Sequence, residues 1–367
     1  MKNTKQPVDG LLLFAIGALL IIGVIMVYSA SAAWGEYRFN DPFYFSKRQA
    51  LFAFVGVIGL VIMMHFDYWK MRRYVVPALF VCFGLLILVL IPGVGLIRGG
   101  AQSWIGVGAF SIQPSEFMKL AMIGFLAHWL SNNNQLLASF RKGLLPLLAT
   151  IFVAFGMIML QPDLGTGAVM VATSFIILFV AGAKIKHFAI LGGLGVLGFV
   201  GLIASAPYRI DRITSFLDPW SDPLGTGFQI IQSLYAIGPG GLFGMGFGES
   251  RQKYFYLPEP QTDFIFAVIA EEGGFIAGAM VIFLFTVILW RGIRAALLAP
   301  DSFGTYLAVG IVGMLFVQVA INIGVVIGLI PVTGITLPLL SYGGSSLTLM
   351  LVALGILLNI SAHARSV

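Results

Sequence analysis

The chain has 367 residues, 59% of them hydrophobic and only 10% charged, with a formal net charge of +6 and a mean hydropathy of +0.98. This composition excludes an ordinary soluble domain and reads as an integral membrane protein, whose positive balance reports topology and contact with anionic lipid, with no need for nucleic acid. Cys82 is the single cysteine, which excludes an internal disulfide and a thiolate metal site.

Taken in chain order, apolar segments of bilayer-spanning length recur at 11–32, 49–66, 74–91, 115–130, 144–160, 165–183, 188–204, 264–290, 305–330 and 346–360. They predict ten transmembrane helices in one all-α polytopic membrane domain covering 1–367. Short tails occupy 1–10 and 361–367, and one long connection, 207–262, separates the seventh and eighth spans. The first span lacks the small-residue cleavage site of a secretory signal. With the N-terminus inside, Lys2, Lys5, Lys70, Arg72, Arg73, Arg141, Lys142, Lys184, Lys186, Arg291, Arg294 and Arg365 all fall on the cytoplasmic side, as does the C-terminus. Most carboxylates fall outside or near the outer surface, whereas His65, His128, His187 and His363 fall at cytoplasmic ends. Acid–base chemistry at the outer face would therefore need a carboxylate as base.

The outer connections carry the candidate chemistry. Trp104, in Gln102-Ser103-Trp104-Ile105, favours an interface anchor over a sugar-stacking platform. Gln113-Pro114-Ser115-Glu116-Phe117-Met118-Lys119 opens the fourth span, with Glu116 and Lys119 three apart on one helix face, either a packing ion pair or a ligand contact. Gln161-Pro162-Asp163-Leu164-Gly165-Thr166 precedes the sixth span, where Asp163 is expected to cap. In the long connection, 228–235 reads as a short amphipathic helix lying on the membrane surface, followed by a glycine-rich turn system from Gly238 to Gly248 that matches no nucleotide-binding fingerprint. Pro258-Glu259-Pro260-Gln261-Thr262-Asp263-Phe264 then leads a polar loop into an apolar helix, with Asp263 expected to cap a helix over 264–290. Desolvation at that boundary would raise the pKa of the carboxylate toward the value a base needs near neutral pH. Finally, Leu340-Ser341-Tyr342-Gly343-Gly344-Ser345-Ser346 opens the last span, with hydroxyls placed to cap it or hold an anion.

In this order, Gln-Pro-Ser-Glu-Phe-Met-Lys, Gln-Pro-Asp-Leu-Gly-Thr, Tyr-Leu-Pro-Glu-Pro-Gln-Thr-Asp-Phe and Ser-Tyr-Gly-Gly-Ser-Ser resemble the SEDS family (shape, elongation, division and sporulation) across essentially the whole chain, most of all its sporulation branch. The resemblance implies a peptidoglycan glycosyltransferase that polymerises lipid II at the outer face of the bacterial plasma membrane beside a class B penicillin-binding protein. It places the essential aspartate at Asp263 and the intramembrane pair at Glu116 and Lys119. Ser103 stands where many members carry a basic residue, leaving Arg98 as the substitute.

Joining two lipid-linked sugars requires a base for the acceptor hydroxyl and positive charge at the departing diphosphate. Asp263 is the expected base. Lys119, Arg98 or Arg212, helped by a divalent cation (Mg or Mn), are the expected partners of the polyprenyl diphosphate, with Asp163, Glu259, Trp104 and Ser345 supporting. A single displacement would invert the anomeric centre to give β-linked glycan. Two rival readings are a lipid II flippase and a non-catalytic scaffold of the wall-synthesis complex.

Overall fold

The computed structural model describes residues 7–98, 101–107, 110–188, 192–193, 216–225 and 227–364. Among these the chain is mostly helical. Helix α1 spans Gly10–Phe39, α2 Tyr44–His65, α3 Tyr68–Met71 and α4 Val75–Leu90. Next come α5 at Pro114–Asn133, α6 at Leu145–Met159, α7 at Leu164–Val180 and α8 at Phe228–Ile237. Ile265–Leu297 forms α9, Ser302–Val326 α10 and Gly344–Ala362 α11. Every predicted span except the seventh meets one of these helices; 188–204 falls almost wholly outside the described residues.

Among the described residues, six helical segments are long and apolar enough to cross a bilayer, and α4 and α7 are shorter apolar helices. Their outward faces carry large apolar side chains, such as Phe14 at 66% exposure, Phe54 at 65% and Phe80 at 69%, a surface that only lipid or a partner would cover. Inside, α2 lies along α11 and α1 along α9, with α10 between α5, α7 and α9. Close approach depends on small residues. A Cβ on Gly355 would come within 2.5 Å of the Leu60 carbonyl, so α11 can meet α2 only where the side chain is absent.

One departure from an all-helical reading sits between α4 and α5. There, β1 (Gly95–Arg98), β2 (Ala101–Val107) and β3 (Phe110–Ile112) form a small antiparallel sheet in the order β1-β2-β3.

Polar contacts fix which segments share an end of the bundle. Arg291 near the end of α9 lies 2.6 Å from Asp9 at the start of α1. Tyr68 and Trp69 of α3 donate to Asp301, the N-cap of α10, at 2.8 and 3.1 Å, and Trp69 meets the His363 ring beyond α11. The segments assigned to the inner side by their basic residues therefore gather together, and Asp263 lies at the opposite end.

Candidate active site

The approach to α9 is a turn system. Leu257 and Pro260 are buried, and Glu259 takes a positive φ of 50°. Its carbonyl accepts from the Thr262 N–H at 3.1 Å, and its carboxylate accepts from Gln261 Nε2 at 3.0 Å. The expected cap is not formed. Helix α9 begins at Ile265, its N-cap position is Phe264 without a side-chain bond, and it runs to Leu297. The Asp263 carboxylate instead lies beside Gly334, whose ideal Cβ would be 3.8 Å from Asp263 Oδ2.

Asn322, Ser341 and Tyr342 hold residues 261–263 against the loop that precedes α11. Asn322 of α10 donates through Nδ2 to the carbonyls of Asp263 (2.9 Å) and Ile335 (2.7 Å). Ser341 donates to the Thr262 carbonyl at 2.5 Å while accepting from the Leu337 N–H. Tyr342 N–H donates to the Gln261 carbonyl at 2.8 Å. Burial, and secondarily the negative charge of Glu259, push the Asp263 carboxyl up from 3.8 to about 6. A carboxylate so tuned exchanges its proton near neutral pH, as a general base must.

Asp163 organises the neighbouring motifs. Its Oδ1 caps α7 by accepting from Thr166 N–H at 3.1 Å, and its Oδ2 accepts from Gln113 Nε2 at 2.9 Å and Ser115 Oγ at 3.1 Å. The expected cap is thus present and is also a clamp on the start of α5. Ser345 does not cap α11, whose N-cap position is Gly343 without a side-chain bond; its hydroxyl accepts from Gln113 N–H at 3.2 Å. In this way the Gln-Pro-Ser-Glu, Gln-Pro-Asp, Thr-Asp-Phe and Ser-Tyr-Gly-Gly segments, scattered along the chain, are joined by side chains at one end of the bundle.

Glu116 and Lys119 do pair, at 2.8 Å, with side chains only 10% and 3% exposed. That geometry fits an ion pair built into helix packing, and a diphosphate would reach Lys119 only by opening it. Trp104 sits in β2 opposite Leu96, and Arg98 ends β1 opposite Ala101. Arg212 lies outside the described residues. The amphipathic stretch is α8, which packs against α9 and α10 and buries Ile230, Ile231 and Ala236, with Ser233 donating to the Val326 carbonyl at 2.7 Å. It is thus part of the bundle end. Among the described residues no three His, Cys, Asp or Glu side chains form a metal-holding cluster.

Sequence reading overlooked a break in α9. Gly274 is non-helical (φ 67°, ψ −165°), and just before it Glu271 and Glu272 are buried to 1% and 4% exposure. Glu271 accepts from Ser250 Oγ at 2.5 Å and Arg251 N–H at 2.8 Å; Glu272 pairs with Lys253 at 2.9 Å and accepts from Ser29 of α1 at 2.7 Å. Adjacent carboxylates followed by two glycines in mid-span were the available signal.

A family model described as a cell cycle protein, FtsW/RodA/SpoVE, matches residues 10–366. The chain is 64% identical over 365 residues to stage V sporulation protein E of Bacillus subtilis, covering 100% of both. To the probable peptidoglycan glycosyltransferase FtsW of Trichlorobacter lovleyi it is 45% identical over 357 residues, 97% of this chain and 94% of that one. Among solved structures, a peptidoglycan synthase complex described as coordinating polymerization and crosslinking aligns with a TM-score of 0.80 at 32% identity, over 96% of this chain and 97% of the other. The rod shape determining protein RodA of Thermus thermophilus aligns with a TM-score of 0.73 at 30% identity, over 98% of each chain. With the motifs, the helix layout and the whole-length matches in agreement, the chain belongs to the FtsW/RodA/SpoVE family, the SEDS family that its sequence resembles.

Proposed function

We propose that this protein is a peptidoglycan glycosyltransferase that polymerises lipid II at the outer face of the bacterial plasma membrane, in spore cortex or septal wall synthesis. The observation that carries the reading is Asp263: a carboxyl pushed up to about 6 at the polar mouth of an apolar helix bundle, in a chain whose relatives include proteins named as glycosyltransferases. Asp263 Oδ takes the proton of the acceptor sugar hydroxyl as that oxygen attacks the donor C1 from the side opposite the diphosphate. The C1–O bond breaks, polyprenyl diphosphate departs with the electron pair, and inversion leaves a β-1,4 linkage.

Asn322 and the loop before α11 hold the base, and Asp163 holds the neighbouring elements around it. The departing diphosphate calls for positive charge, the part expected of Arg98 and Arg212 from the sequence, and a divalent cation bound to it would supply more. Lys119 serves by keeping α5 packed. A class B penicillin-binding protein is the proposed partner, supplying cross-linking to the emerging strand.

Purified protein, alone and with that partner, is to be incubated with labelled lipid II and the product resolved by size. Glycan polymer from the wild type and none from Asp263→Asn is the expected result. Polymer at the wild-type rate from well-folded Asp263→Asn would overturn the base assignment. Lipid II movement between vesicle leaflets without polymer from the wild type would overturn the transferase reading in favour of a flippase.

A further inference from the structure

We propose that Lys253, Glu272 and Ser29 form a buried latch that sets the tilt of the half-helix leading from Asp263, making Lys253 and Glu272 positioning residues for the transfer reaction. The inference rests on Asp263 being the base. Its starting point is that α9 is not one rod. At Gly274 the helical hydrogen bonds are interrupted, and the glycine-rich segment 240–246 replaces them. Met245 and Gly246 N–H donate to the carbonyls of Glu271 (2.9 Å) and Glu272 (3.0 Å), and Phe275 and Ile276 N–H donate to Gly241 (2.8 Å) and Leu242 (3.2 Å). The backbones meet so closely that a Cβ on Gly244 would lie 2.1 Å from the Glu272 carbonyl.

The segment 265–273 therefore lacks the stiffness of a continuous helix, and its direction depends on the grip at its inner end together with the bonds from Asn322, Ser341 and Tyr342 at its outer end. Lys253 Nζ grips the inner end from the loop side. It lies 2.9 Å from Glu272 Oε1, 3.2 Å from Ser29 Oγ and 2.6 Å from the Gly248 carbonyl, and Lys253 and Glu272 are each only 4% exposed. Ser29 donates in turn to Glu272 and belongs to α1, a helix of 30 residues that passes the site unbroken. The latch thus ties loop, half-helix and a fixed neighbouring helix at one point. Neither Lys253 nor Glu272 is exposed to substrate, so they act through geometry.

The lever is long enough to matter. Ile265, where the half-helix begins, precedes Glu272 by seven residues, about 10 Å along a helix at about 1.5 Å per residue, and Asp263 lies two residues farther out. A tilt of about 5° then displaces Asp263 by about 1 Å, a misplacement that costs on the order of 100-fold in rate.

Lys253→Met, Glu272→Gln, the double variant and the milder Ser29→Ala are to be compared with the wild type in two measurements. One is the initial rate of polymer formation over a range of lipid II concentrations. The other is amide hydrogen exchange in 240–253, 265–273 and 276–297. Expected for each single charge variant is a kcat about 10- to 100-fold lower with KM within about twofold, and faster exchange confined to the first two segments. The neutral double variant recovers part of the rate, because no buried charge is left unpaired. Ser29→Ala, which spares the ion pair, shows the same pattern at about 3- to 10-fold and stands in for any charge variant that fails to fold. Unchanged kcat, unchanged exchange in 265–273, or exchange rising equally through 276–297 would each overturn the latch. Asp263→Asn with its latch intact tests the base assignment separately, and the exchange result stands whichever way that experiment falls.

Discussion

Replacing Asp263 by asparagine should abolish polymerisation and, at the same time, stabilise the protein, because the feature that suits this carboxylate to catalysis is unfavourable for folding. Its pKa is raised from 3.8 to about 6, with burial the larger cause and Glu259 the smaller. The folded protein consequently binds this proton more tightly than the unfolded chain does. That stabilising contribution is complete below pH about 4 and is lost as pH rises through about 6. A rise from 3.8 to about 6 corresponds to about 3 kcal/mol, the cost of holding the ionised group in its site at pH 7 to 8. D263N keeps the shape and carries no charge, so it escapes that cost. Its advantage over the wild type should be near zero at pH 4, grow through pH 6 and level off above it. Thermal or denaturant unfolding of the detergent-solubilised protein, followed by tryptophan fluorescence at pH 4, 6 and 8, measures the difference, and a lipid II polymerisation assay on the same samples measures activity. A stability difference independent of pH would refute the desolvated carboxylate.

Glu259→Gln removes the smaller of the two causes, so the acidic limb of the pH–rate profile should move to lower pH, by less than one unit, with polymer still formed. Rates measured from pH 5 to 8 check this, and an upward shift would contradict it. Glu116→Ala and Lys119→Ala should each cost about 3–5 kcal/mol by stranding the partner charge, while the double variant should cost less than their sum. An additive double-mutant cycle in denaturant unfolding would show that the pair contributes no coupling. Asn322→Ala leaves the carbonyls of Asp263 and Ile335 without their donor, at about 1–3 kcal/mol for each buried group. The polymerisation rate should fall with it, and full activity from that variant would free Asp263 from its dependence on α10.

Much of this arrangement is legible in the sequence because membrane segments must satisfy their own backbone and bury few charges. Apolar length therefore finds the helices, and a proline beside a polar residue finds their ends, as at Pro114 and Asp163. The shared location of the motifs also follows, since polar residues at span termini can meet only other termini on the same side. Three features resist that logic. The small sheet β1-β2-β3 is built from short strands among glycines, too brief for a period-two pattern to stand out. Asp263 was expected at the cap from its place between a proline-rich loop and an apolar run. The turn at Glu259 and the tether to Asn322 instead delay the helix to Ile265 and direct the carboxylate toward Gly334. The break in α9 is concealed by apolar residues on both sides. A carboxylate pair in mid-span is nevertheless conspicuous once one asks what could neutralise it, and the answer, Lys253 with the Ser250 hydroxyl and the backbone N–H groups of 250–252, comes from a loop that hydropathy alone assigns to the surface.

The distribution of buried polarity also bears on whether the bundle transports its lipid substrate or works on it. A flippase must offer a sugar diphosphate headgroup polar contacts along the whole path, since stranding such a group in an apolar interior costs several kcal/mol for each unmet partner. Here most of the buried polar side chains collect at two ends: Glu116, Lys119, Gln161, Glu271, Glu272, Asn322 and Ser341 lie toward Asp263, and Asn359 and His363 lie toward the opposite end, with Thr173 and Ser174 of α7 and Gln318 of α10 between them. Between them, α11 presents Met350, Leu351, Leu354 and Leu358, α10 presents Ile311, Met314 and Leu315, and α5 presents Met122, Ile123 and Leu126, all buried. These side chains belong to one continuous apolar core. A headgroup crossing there would have to displace that core. One approaching Asp263 from its own end of the bundle meets the proposed base with its lipid tail still free to lie against the apolar outer faces, and for a lipid-linked sugar that is the arrangement expected of a transferase.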